Sequence, residues 1–142
     1  VVNHNLAVKQ LILVNSIYPT RVADVLLDKA QAGNGDAANF IINYGLYRRL
    51  LGMRNAFSEA DDLVMLDDLH ACNNYEIDFN NIKNIESPIS IILGSKDKLV
   101  DLKAVEHFTD VVPSHTYTMD EVGHFSFFED PVELSRLISK IV

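Results

Sequence analysis

The sequence predicts an α/β fold: a partial parallel sheet of about three strands with flanking helices and a helical block inserted after the first strand. Three observations carry this prediction. Apolar or β-branched runs recur at Leu11–Val14, Ile89–Leu93 and His115–Met119. Helical periodicity joined by short turns follows the second and third runs, as parallel crossovers require. Between the first and second runs the pattern is helical with brief breaks, from Pro19 to about Asn74.

Leu11-Ile12-Leu13-Val14 ends in the turn formers Asn15-Ser16, the pattern of a parallel strand covered on both faces. Residues 1–7 show no period and are expected to be the tail of a helix entering that strand. Pro19-Thr20 signals a helix start, and Val22, Leu26 and Ala30 share a face. Gly33-Asn34-Gly35 stops this helix, with Asp36 the expected N-cap of the next. There Ala37, Phe40, Ile41, Tyr44 and Tyr47 repeat at helical spacing. Gly52 is expected to break the chain again. Ser58-Glu59-Ala60-Asp61 has capping-box form, and Leu63, Leu66 and His70 continue one stripe. From Asn73 to Ser87 the sequence is polar, with anchors at Tyr75, Ile77, Phe79, Ile82 and Ile85. A loop with a short helical turn fits. Beyond Ile89–Leu93, Asp101 is the expected cap of a helix that buries Leu102, Val105, Phe108 and Val112, ended by Pro113-Ser114. His115–Met119 alternates and is rich in Thr and Tyr, which reads as a strand. In the final helix, Pro131 to Val142, Leu134, Leu137, Ile138 and Ile141 fall at i, i+3, i+4, i+7.

Composition excludes several functions. With 142 residues, 48% hydrophobic and 23% charged, the chain is long enough for one well-formed core. Twelve basic against twenty acidic residues give a net charge of −8. No basic cluster is longer than Arg48-Arg49, so neither nucleic acid nor an anionic membrane is an expected partner. The apolar runs are too short to span a bilayer, and no signal peptide is visible. Cys72 is the sole cysteine, which points to a reducing, cytoplasmic compartment. His4, His70, His107 and His115 have no metal-ligand spacing, so no metal or cofactor is expected.

The chemistry points to two residues. Open parallel sheets place reactive groups at the carboxyl ends of their strands. Asp97 lies four residues past Leu93 and His124 five past Met119, so both loops are expected on the same rim. Gly94 and Gly123 allow tight backbone at the two turns. A carboxylate that fixes the tautomer of a proton-shuttling imidazole forms two members of a hydrolytic triad. Taken singly, Asp97 reads as a turn residue or helix cap and His124 as a loop histidine; their paired placement favours chemistry. Other candidates read as structural: Cys72 as a small core residue, Asp61-Asp62 and Asp67-Asp68 as a solvated helix face. Glu129-Asp130 suits the first turn of the last helix, and Ser95 has no base implied beside it.

These segments resemble the C-terminal half of an α/β-hydrolase. The matching pieces are the strand Leu11–Ser16, the helical insertion, Ser87-Pro88-Ile89-Ser90-Ile91-Ile92-Leu93-Gly94-Ser95-Lys96-Asp97, Val122-Gly123-His124-Phe125, and Phe128-Glu129-Asp130-Pro131. Leu66 to Tyr75 looks like the end of a cap in the small-ester and carbon-bond hydrolase branch. The resemblance runs over nearly the whole chain and implies a core at 1–18 and 86–142 with a cap at 19–85. It implies Asp97 as triad acid and His124 as triad base, a small ester-like substrate, and no cofactor. Some relatives carry the acid after the earlier strand; Asn15 and Ser16 stand there in this chain. The family's nucleophile turn, Gly-x-Ser-x-Gly, is absent. Since the sequence starts at Val1 rather than methionine, it is expected to be a piece of a longer chain with that turn upstream, inactive by itself. The alternative expectation is a non-catalytic binding or assembly module. In either case the Leu11–Val14 edge is expected to pair with the missing half or with another copy of the chain.

Overall fold

The three apolar runs assemble into one sheet. In the computed structural model, which describes residues 8–48, 50–58 and 60–142, β1 (Leu11–Val14), β2 (Ile89–Gly94) and β3 (His115–Met119) run parallel in the order β1-β2-β3. Leu11 lies opposite Ile89 and Val14 opposite Ile92, while Ser90 lies opposite His115 and Gly94 opposite Met119. The central strand β2 is buried along its whole length. Its side chains alternate between two cores, which is why its run is continuously apolar. Ile89, Ile91 and Leu93 face a cluster with Val105, Phe108 and Val112. Ile92 faces a second cluster with Met119, Val122, Leu134 and Leu137.

Two helices supply those clusters. α6 (Leu102–Val111) starts at Asp101, whose carboxylate accepts from the Lys103 N–H as expected. Leu102, placed on its buried face by the spacing, is 63% exposed; a residue in the first turn looks outward before the helix settles on the sheet. α8 (Pro131–Ile141) is capped by Asp130, which accepts from the Glu133 N–H, and buries Leu134 and Leu137. A short helix not anticipated from the sequence, α7 (Ser126–Glu129), precedes it. β1 packs on both faces, Leu11 and Leu13 against one cluster and Ile12 and Val14 against the other, and is half-buried throughout. It is an edge strand, with β2 on one side alone among the described residues.

The helical block comprises α1 (Asp24–Ala32), α2 (Asp36–Gly45), α3 (Leu51–Ser58), α4 (Asp62–Asn73) and α5 (Phe79–Lys83). Leu26, Ala30 and Ala37 form its small core, with Val22, Phe40, Met65, Leu66 and Leu69 against it. Ile82 of α5 belongs instead to the sheet cluster with Phe108. Several sequence expectations change here. α1 begins after Pro19-Thr20, at Asp24, and Gly35, in the left-handed conformation, caps α2 in place of Asp36. Gly52 lies inside α3. Ser58 is the last residue of α3, and Asp61 by itself caps α4 by accepting from Leu63 N–H; Glu59 of the capping-box motif lies outside the described residues. Leu63 is 66% exposed, so α4 packs half-buried Met65, Leu66 and Leu69 against the small core in place of the expected stripe of Leu63, Leu66 and His70. Asp62 is not on a wet face: it is buried and accepts from Gly35 N–H. The expectation of a helix tail at residues 1–7 lies outside the described residues. Among the described residues no helix is long and apolar enough to cross a membrane.

Candidate active site

Both loops that leave the sheet at its carboxyl rim are tied together by backbone. Ser95 N–H donates to Met119 C=O and Lys96 N–H to Val122 C=O, at 2.8 and 2.9 Å. The approach is close enough to demand glycine: a Cβ on Gly94 would meet the carbonyl oxygens of Val122 and Gly123 at 2.3 Å. The acid and the histidine are therefore delivered to one place. His124 Nδ1 and Asp97 Oδ2 are 2.9 Å apart, with 3% of the Asp97 side chain exposed and 29% of the histidine side chain.

The carboxylate is heavily engaged. Its Oδ1 accepts from Leu99 and Val100 N–H, and its Oδ2 accepts from Asn15 Nδ2 as well as from the imidazole. Burial pushes the Asp97 carboxyl up. The hydrogen bond and charge of His124 outweigh it and, with Asn15 and Leu99 N–H, hold the group below its ordinary value. An ionised carboxylate can only accept, so Nδ1–H of His124 is the donor of this bond and Nε2 takes no part in it. The depressed value has a consequence for stability. The contribution of Asp97 is complete above its unfolded pKa, near the ordinary 3.8, and is lost as the pH falls through the lower folded value. Asp97→Asn is expected to flatten the fall in stability between about pH 5 and pH 3. Urea unfolding at several pH values measures this, and parallel curves for the two proteins would contradict it.

Two supporting residues escaped the sequence reading. Asn15, at the tip of β1 with φ of 47°, donates to Asp97 and to Gly123 C=O, and accepts from the buried Ser126 hydroxyl. Glu129, expected in the first turn of the last helix, instead ends α7 and is buried. One of its oxygens accepts from Tyr47 and Arg48 N–H, and the other from Gly123 N–H. The histidine loop also reaches the end of α2, where His124 N–H donates to Gly45 C=O at 2.6 Å. A Cβ on Gly123 would meet that carbonyl oxygen at 2.2 Å. Neither set of partners has a local signal, since, apart from Gly123 six residues before Glu129, the groups joined lie far apart in the chain. Ser95 is tied to Asp120 and Glu121, away from His124. Cys72, expected in the core, is exposed: it follows Met65 and Leu69 on the same face of α4, but at the last turn of that helix, where the face borders an open cavity.

His124 lines a cavity of about 490 Å³. Leu26, Phe40, Tyr44, Phe57 and Leu69 of the helical block form its walls, with Leu99 and Phe125 from the two loops. The dimensions and apolar lining suit a small organic molecule. Among the described residues no serine or cysteine is hydrogen-bonded to His124, and no group of three His, Cys, Asp or Glu could hold a metal ion.

A parallel sheet bearing an acid loop and a histidine loop on successive strand ends, with helices inserted before them, is the C-terminal part of the α/β-hydrolase fold. This chain has that fold. It superposes on a thermophilic esterase with a TM-score of 0.80 and 24% identity, over 93% of this chain and 55% of that one. An esterase from Exiguobacterium antarcticum matches at 0.79 and 16% identity, over 98% of this chain and 59% of the other. The enol-lactonase from Burkholderia xenovorans LB400 matches at 0.79 and 14% identity, over 99% and 58%. The chain thus spans little more than half the length of these structures. No family model matches the sequence, and neither does any curated protein.

Proposed function

We propose that this chain supplies the acid and the base of a serine-type α/β-hydrolase acting on a small ester or related carbonyl compound. The carrying observation is the 2.9 Å pairing of Asp97 with His124 beside an apolar cavity. In this reading a serine from sequence outside residues 1–142 attacks the carbonyl carbon, and its proton passes to Nε2 of His124. The tetrahedral intermediate collapses, the C–O bond to the leaving group breaks, and His124 returns the proton to the departing oxygen. Water, deprotonated by the same nitrogen, then releases the acyl group. Asp97 stabilises the imidazolium at each stage. Backbone amides, also outside residues 1–142, hold the oxyanion. Residues 19–85 act as the lid that shapes the cavity, and no cofactor takes part.

The test compares residues 1–142 with a longer polypeptide that adds the upstream sequence, using nitrophenyl esters of increasing acyl length. The longer protein is expected to turn over the shorter esters, and residues 1–142 to show none above background. Turnover by the short chain, or none by the long one, overturns the proposal. The exposed edge of β1 favours a second reading, a non-catalytic module that assembles through that strand with another copy. Concentration-dependent dimers in light scattering, with no turnover by the longer protein, would select it.

A further inference from the structure

The chain has twenty acidic and twelve basic residues, yet the cavity beside His124 reverses that balance. Apart from the histidine, its charged lining residues are Arg21 and Lys98, and among the described residues no carboxylate lines it. Neither cation is engaged in an ion pair or hydrogen bond among the described residues. The walls between them are apolar and aromatic, with Phe40 and Phe57 among them. An unpaired cation beside such a low-dielectric surface attracts an anion more strongly than one in open water.

A neighbouring hollow sets the direction. It shares Ile41 and Leu69 with the first as lining, but its charged residues are Asp61 and Asp68. An anion is therefore repelled from that end and drawn towards Lys98 and Arg21, although Arg21 also borders a further hollow lined by Glu76 and Asp78.

We propose that the cavity selects apolar esters that carry a second, free carboxylate on their aryl or alkyl part, with Arg21 and Lys98 holding that carboxylate and the helical block covering the hydrocarbon. This rests on the hydrolase reading of the same cavity and narrows its substrate class. A carboxylate bound to a guanidinium or an ammonium gains charge-assisted hydrogen bonds that a neutral amide of the same shape lacks.

The test measures binding, without turnover, of 4-phenylbutyrate and 4-phenylbutyramide to the longer polypeptide by titration calorimetry. The carboxylate is expected to bind about ten-fold tighter than the amide, with the preference weakening in salt. The double variant Arg21→Gln/Lys98→Gln is expected to lose that preference, and Lys103→Gln, on α6, to keep it. Equal binding of the two ligands by the unmodified protein, binding of neither, or a preference that survives the double variant overturns the proposal. Nitrophenyl esters with and without a terminal carboxylate separate it from the hydrolase reading. Turnover without a carboxylate preference sinks this inference alone, whereas a carboxylate preference in binding with no ester turnover sinks the hydrolase reading and leaves the binding site standing.

Discussion

His124→Ala in the longer polypeptide is expected to lower kcat on a nitrophenyl ester by about 10⁴-fold or more, with the fold intact. In the proposed mechanism, loss of the imidazole removes the group that takes the nucleophile's proton and returns it to the leaving oxygen. The remaining rate would come from binding and oxyanion stabilisation alone. The structure gives a reason to expect little unfolding. The ring is partly exposed, and the loop is held by backbone bonds that alanine retains, including His124 N–H to Gly45 C=O. The ring's perpendicular contact with Phe125 is lost, a small effect beside those bonds. Steady-state kinetics and a thermal melt together check this; a rate within ten-fold of the unmodified protein would refute the assignment of the base. Asp97→Asn should fall in the same range, since an amide at that place no longer fixes the ring tautomer.

The second large effect is on stability. Glu129→Ala is expected to lower the melting temperature by about 10 °C and to reduce turnover with it. Three backbone N–H groups, of Tyr47, Arg48 and Gly123, lose their buried acceptor at once. Each unsatisfied donor costs about 1–3 kcal/mol, and water entering the space offsets part of the sum. A net loss of about 3 kcal/mol converts to roughly 10 °C for a chain of this size. Glu129→Gln keeps one oxygen and turns the other into a donor facing donors, so it should fall between the two. A melting temperature unchanged in the alanine variant would show that the carboxylate is not what fastens the loop.

The sheet was legible because its signals are local. Leu11–Val14 and Ile89–Leu93 are continuous apolar runs, His115–Met119 alternates, and the spacing of Leu134 and Leu137 matches a helix on a flat surface. The acid–histidine pairing was legible for the same reason: strand ends in a parallel sheet share a rim, so two short sequence distances imply one spatial distance. The helical block was harder. Its apolar residues wall a cavity as well as filling a core, and periodicity cannot distinguish those surfaces. Tyr44, placed on a buried stripe by spacing, is 47% exposed and lines the cavity. Gly52 and Ser58 carried break and cap signals that the surrounding helix overrode. Asn15 and Glu129 were missed because a side chain that bonds across the fold to distant backbone leaves no pattern around itself.

The Glu129 contacts also bear on how the cavity can be reached. They join the histidine turn to the 45–48 linker, so separating these two parts breaks several buried bonds at once, immediately beside the proton shuttle. Widening the mouth there would disturb His124 and with it the proposed chemistry. In the proposed lid, residues 45–48 are accordingly the part fastened to the histidine turn, and access is expected to be easier at the opposite margin.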